Sequence, residues 1–232
     1  MSPYATSWSD AVEIDLPLRG EWTAVNSPGS KIPSHGTDML GQRYAFDFVR
    51  THPSGKGMRF YKQSPARYLL LGAPLEDCFG WGQPIYAPLP GTVVAAVDGW
   101  PERDPVHLLR DIATVLKHGF TFDPDKTDLK AVVGNHIIIE TAHGYAFFAH
   151  ARTGSIAVAA GDEVHMGQLI AKVGHSGNST APHLHFQLMD SPDLRVAQGI
   201  PCRFSEYETF REGVWHQVEG GVPLSEERIR KL

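Results

Sequence analysis

The sequence predicts a mainly β protein built on an antiparallel β-sheet core with long loop insertions. Short apolar or alternating runs recur along the chain, separated by Gly, Pro, Asn and Asp. These runs are densest from Gly134 to Met189, where strand follows turn at the spacing of a sandwich or barrel. A chain of 232 residues is long enough to bury a real core. No run approaches about 20 apolar residues, so no membrane-spanning helix is coded.

The elements follow in order. Residues 12–16 alternate, 21–25 are β-prone, and Pro28 and Gly29 mark a turn at 26–30. Residues 43–49 read as a strand that ends at a loop over 52–55. Few periodic signals occur in 51–80, apart from a short buried piece at 68–72. Strands are predicted at 84–88 and 91–97 around a Pro-Gly turn. Residues 100–131 are polar and rich in Asp, Pro and Lys, a surface insertion with a short helix within 106–117. Strands at 135–140, 145–150, 155–158, 168–173 and 183–189 complete the dense region. The tail after Asp190 reads as irregular, with a late helix at 225–231. The expected organisation is an N-terminal β segment over 1–34, a central β domain over 35–190 with insertions near 51–80 and 100–131, and an irregular or helical extension over 191–232.

Composition narrows the function. The formal net charge is −5 with no basic block, which argues against nucleic-acid binding. The first ten residues lack the basic and apolar regions of a signal peptide, leaving the compartment undetermined. Cys78 and Cys202 are the only cysteines, so a cysteine zinc site is excluded and two reduced, half-buried thiols are expected.

The chemistry centres on His183-Leu184-His185. Strand side chains alternate faces, so the two histidines share one, roughly 6–7 Å apart. One can then bind a metal while the other reaches a metal-bound water. Asp47, set among apolar residues on a strand, and His150, closing an aromatic strand, complete the candidate group. A hydrolytic zinc site needs about three protein ligands, an open position and a proton-handling group nearby. Asp47 and His185 suit ligation; His150 and His183 suit proton transfer.

Residues 82–94, 134–140, 145–150, 158–170 and 174–186 follow in one order the motifs of the lysostaphin/LytM-type zinc metallopeptidases, and the chain resembles that family over about 35–190. The resemblance implies a barrel-sandwich-hybrid-like core and Zn2+. It implies zinc ligation by Asp47 and His185, with His150 and His183 as acid/base and oxyanion stabiliser. It further implies a peptide or peptidoglycan substrate. One position departs from the pattern: the usual first histidine ligand falls on Arg43, and a guanidinium cannot ligate zinc. His35, placed before a turn that leads back to the Asp47 strand, is the expected third metal ligand. A rival pairing of His35 with Asp38 lacks strand character after Asp38.

The function expected is a zinc-dependent metalloendopeptidase; the alternative is a catalytically degenerate scaffold of the same fold, motivated by Arg43. A biotinyl- or lipoyl-type carrier also resembles 158–170, but no lysine stands at a hairpin tip. Segments 51–80 and 100–131 are expected to wall a substrate groove. His175 stands nearer the site in sequence and is weighed as a substrate contact against a plain loop position; His136 and His165 read as strand or turn surface residues.

Overall fold

A computed structural model describes residues 8–52, 57–121, 123 and 126–232. The first seven residues of the expected N-terminal segment, and positions 53–55 of the expected loop, lie outside the described residues.

The architecture is mainly β. Strands β1 (Val12–Ile14), β2 (Gly20–Asn26) and β3 (Phe46–Val49) precede helix α1 (Pro65–Leu71). Strands β4 (Pro84–Tyr86) and β5 (Gly91–Val97) follow, then helices α2 (Leu108–Thr121) and α3 (Leu129–Val133). The dense region forms β6 (Asn135–Thr141), β7 (Gly144–Ala151), β8 (Glu163–Val164), β9 (Leu169–Lys172) and β10 (His183–Met189). The tail adds β11 (Gly199–Ile200), β12 (Cys202–Arg211), β13 (Val214–Gly221) and β14 (Glu227–Lys231). Twelve of these strands form one sheet running β1-β12-β14-β2-β3-β10-β7-β6-β5-β8, with β11 on β10 and β13 on β12; β4 and β9 form a separate ribbon. Among the described residues only β1 with β12 pairs in parallel.

Strand β10 shows why the fold closes where it does. All seven residues are buried. Leu184, Phe186 and Leu188 enter the main core with Trp22, Phe46, Phe48, Phe148 and Phe204. Each such side chain contributes roughly 1.5–3 kcal/mol by leaving water. The opposite face carries His183, His185, Gln187 and Met189, and Met189 joins a second cluster with Leu40, Val133, Phe147, Ala149 and Leu194. The polar side chains of β10 therefore lie between two apolar layers.

Several expectations are corrected. The 191–232 extension is not irregular or helical. Its last element, β14, alternates with period two: Ile229 is fully buried, while Arg228 pairs with Glu21 and Arg230 with Glu208. Long charged side chains mask that alternation in the sequence. Residues 68–72 are no buried piece; they close α1, whose Leu69, Leu70 and Leu71 are exposed and whose start is capped by Ser64 before Pro65. The 43–49 strand begins only at Phe46, because 39–44 form a 3-10 turn. In that turn Gly41 adopts a positive φ, and a Cβ there would stand 2.7 Å from the Gln187 amide. Residues 155–158 form no strand. Cys78 and Cys202 are unpaired and buried rather than half-buried. No helix among the described residues is long and apolar enough to cross a membrane.

Candidate metal centre and cleft

The register of β3, β10 and β7 builds the site. His185 pairs with Asp47 on one side and with Ala149 on the other, and His183 pairs with Val49. Paired residues of adjacent strands share a face, so Asp47, His185 and Ala149 form one row and His183 stands one step along.

His150 breaks the alternation. Phe147 and Ala149 face the second cluster, so His150 is due on the core side. Between the pairs Ile137–Phe148 and Asn135–Ala151, β7 has one more residue than β6. His150 takes a φ of 62° at this bulge, so its ring lies on the site face. The ring is 4.7 Å from that of His183 and 6.1 Å from that of His185, centroid to centroid.

Asp47 is the hub. Its Oδ2 lies 2.9 Å from His35 Nε2, and its Oδ1 lies 2.9 Å from His185 Nδ1 and 3.5 Å from His183 Nε2. Asn26 Nδ2 donates to Oδ2 at 2.7 Å. Burial alone would raise the Asp47 carboxyl; the charges of His35 and His183, with the close contacts to His183 and His185, outweigh it and hold the group well below the usual carboxylate range. Burial, reinforced by His183 and His185, keeps His150 neutral well below the ordinary histidine value. His183 meets the same burial, but Asp47 overcomes it and the net shift is upward.

The outward nitrogens fix the tautomers. Ser34 Oγ donates to the Gln42 carbonyl at 3.2 Å and so accepts from His35 Nδ1 at 3.0 Å. Gln187 Nε2 donates to the Leu40 carbonyl at 2.7 Å, which turns its Oε1 toward His185 Nε2 at 3.0 Å. His150 Nδ1 donates to the Ser176 carbonyl at 2.9 Å, and His183 Nδ1 to the Ala181 carbonyl at 2.8 Å. With its outward nitrogen donating, each neutral ring presents a lone pair inward. Two such lone pairs at 2.9 Å from a carboxylate require a positive charge between them, a proton or a metal ion. His35, Asp47 and His185 each offer one ligand atom, all within 4.8 Å of one another, and a mixed histidine and carboxylate set suits a metal with hydrolytic chemistry.

The group lies in a cleft of about 260 Å³, with Leu40, Val133, Phe147, Thr180 and Leu194 among its walls. Among the described residues neither 51–80 nor 100–131 lines it, so the expected groove walls are supplied elsewhere. His35 reaches Asp47 from the turn at 34–37, before the 3-10 segment. Arg43 is outside, paired with exposed Asp38 at 2.8 Å. This also removes the rival His35 and Asp38 pairing. His136 is buried against Phe147 rather than on the surface, and His175 is fully buried and lines no part of the cleft. The outward partners Ser34, Asn26, Ser176 and Gln187 escape sequence reading; only Gln187, two residues after His185 on the same strand, carries a signal.

Residues 113–196 match the profile of Peptidase family M23. The M23 match spans His150, His183 and His185 and stops short of His35 and Asp47 on the N-terminal side. Solved structures similar to the chain include the catalytic domain of the antimicrobial peptidase lysostaphin from Staphylococcus simulans. It is 21% identical over 78% of this chain and 88% of that one, at a TM-score of 0.38. A catalytic-domain mutant of the prophage-encoded M23 protein EnpA from Enterococcus faecalis is 19% identical, covering 82% and 93% at 0.41. A zinc-containing peptidase from Vibrio cholerae is 19% identical, covering 82% of this chain and 37% of that one at 0.36.

Proposed function

We propose that this protein is a zinc-dependent metalloendopeptidase acting on peptide bonds, with peptidoglycan cross-links as the substrate class. The observation that carries this reading is the Asp47 carboxylate set between two inward histidine nitrogens whose outward nitrogens are both engaged. His35, Asp47 and His185 would hold the ion. When bound, zinc supplies Lewis acidity toward a water and a scissile carbonyl.

The protein's own groups do the rest. His150 and His183 both use Nδ1 for backbone carbonyls, which leaves Nε2 of each as the proton-accepting nitrogen. One Nε2 takes the proton of the attacking water, and the pair delivers a proton to the departing amine. Protonated, the rings also stabilise the developing oxyanion. Their 4.7 Å separation lets both address one tetrahedral centre. The apolar walls exclude bulk water and strengthen these interactions. The domain division at 34 and 190 belongs to the same reading: the central unit carries the site, and the C-terminal strands extend its sheet.

The test is zinc stoichiometry and release of fragments from purified bacterial peptidoglycan, for wild type beside His35→Ala, Asp47→Ala, Arg43→Ala and His183→Ala. The reading expects loss of zinc in the first two, retention in the last two, and loss of turnover in all but Arg43→Ala. Full zinc in His35→Ala removes the third ligand. Wild type that binds zinc and releases nothing favours the degenerate scaffold.

A further inference from the structure

Residues 51–80, absent from the cleft wall, help to build a pocket of their own. It encloses about 330 Å³, and its lining includes Arg50, Thr51, Cys78, Phe79, Trp81 and Gln83. Val49 pairs with His183, so Arg50 stands one residue past that row. A Cβ on Gly80 would stand 3.2 Å from the Pro182 carbonyl and 3.4 Å from Arg50 Cβ. The wall at 79–81 therefore packs against the chain that enters β10. Asp47 lies three residues back along extended backbone, roughly 10 Å away. The pocket is a neighbour of the cleft and shares no lining residue with it.

This pocket holds a cation without a counter-ion. Arg50 is half-buried, its guanidinium lies 5.9 Å from the Trp22 ring, and Nη1 donates to the neutral Gln83 Oε1. Among the described residues no carboxylate pairs with it, and Nε and Nη2 meet no acceptor. The other cation in the lining, Lys62, is committed elsewhere: its Nζ donates to the Glu76 carbonyl at 3.0 Å and stands 3.7 Å from Asp77 Oδ1. Arginine is seldom withdrawn from water without an anion. Its planar fork meets a carboxylate with two parallel hydrogen bonds. The walls suit more than a bare ion. Thr51 and Cys78 are buried, Phe79 and Trp81 half-buried, and the one acid in the lining, Glu76, is exposed. Trp81 is fixed in place: Nε1 donates to Glu102 Oε1 at 2.9 Å, and Arg152 stacks on its ring at 4.1 Å. A fixed aromatic wall beside an unpaired guanidinium suits an acid that carries an apolar body.

We propose that this pocket binds a free carboxylate of a peptide, held by Nε and Nη2 of Arg50, with the apolar part of the same peptide residue against Phe79 and Trp81. The inference rests on the peptidase reading for the source of that peptide. With the scissile bond at Asp47 and His185, a residue about three positions along an extended substrate reaches Arg50. The binding itself does not require that the chain cleave anything. It gives the 51–80 insertion a part in substrate selection, at a distance from the reacting atoms.

The test is a ¹⁵N NMR titration of the full, metal-free chain, with the Trp81 indole N–H reporting on the pocket. The probes are acetyl-trialanine with a free C-terminal carboxylate, the same peptide as its C-terminal amide, and inorganic phosphate. The free acid should bind about 10- to 100-fold more tightly than the amide, the size of charge-assisted hydrogen bonds, and more tightly than phosphate. Arg50→Gln should abolish the preference. Arg50→Lys keeps the charge without the fork and should lose most of it, which decides the matter if Arg50→Gln fails to fold. Equal binding of acid and amide, phosphate binding as tightly as the acid, or a preference that survives both variants overturns the proposal. In the zinc-loaded protein, Arg50→Gln should raise KM on peptidoglycan by about 10-fold, more than it lowers kcat; an unchanged KM overturns the part in substrate selection. An acid preference at Trp81 in a chain that turns over nothing would count against the peptidase reading alone.

Discussion

Replacing Gln187 by Leu tests whether the outward hydrogen bonds set the metal affinity. The side chain is fully buried and does two things: Oε1 accepts from His185 Nε2 at 3.0 Å, and Nε2 donates to the Leu40 carbonyl at 2.7 Å. Leucine is similar in size, so the cavity term is small. It leaves one buried N–H and one buried carbonyl without partners, at about 1–3 kcal/mol each. The expected loss of folding stability is therefore about 2–6 kcal/mol, read by urea unfolding of the metal-free protein. A second effect is separate. Without the acceptor, His185 can carry its proton on Nδ1, the nitrogen that faces Asp47. Outer partners of metal-bound histidines typically contribute 10- to 100-fold in affinity, or about 1.4–2.8 kcal/mol. Zinc competition against a chromophoric chelator measures this directly. If Gln187→Leu binds zinc within about twofold of wild type, the tautomer argument for His185 fails, whatever the stability change.

Three further outcomes are expected. Ala149→Leu fills the strip of cleft beside His185; zinc should remain bound while peptidoglycan hydrolysis falls sharply, with about 1–3 kcal/mol of destabilisation from overpacking. Arg43→Ala removes a surface pair with Asp38, so stability should change by less than about 1 kcal/mol and turnover should persist. For Asp111, burial opposes ionisation, but the nearby His175 ring, with hydrogen bonds from Arg103, the His107 backbone and Arg110, outweighs it and holds the carboxyl far below its ordinary value. A depressed folded value stabilises the protein above the unfolded value of about 3.9 and loses that stability as pH falls. Asp111→Asn should therefore flatten the acid limb of the stability profile below about pH 5; an unchanged limb contradicts the assignment.

The core of the fold is legible because β6, β7 and β10 are apolar strands punctuated by turns, and a period of two leaves few alternatives. The shared face of His183 and His185 follows from the same period. Asp47 stands out as a lone carboxylate in an apolar strand. Three features resist reading. The tail strand β14 hides one buried isoleucine between arginines whose partners, Glu21 and Glu208, are remote in sequence. Helix α1 has the apolar content of a buried piece, and only its Ser64 and Pro65 start reveals a helix. Asp111 meets His175 across 64 positions, and nothing in the sequence pairs the two.

The extra residue in β7 has a consequence for which changes that strand can accept. Before the bulge the chain keeps one alternation; after it, the opposite one. Phe148 therefore faces inward, while Ala149 and His150 both face the cleft, one small beside His185 and one large beside His183. Deleting any one residue from this short stretch would restore an even ladder and leave one position to serve where two are needed. Either the gap beside His185 or the ring beside His183 would be lost, although the sheet itself would pair more regularly. Side chains here can vary within limits of size, but the number of residues between Phe148 and Ala151 cannot.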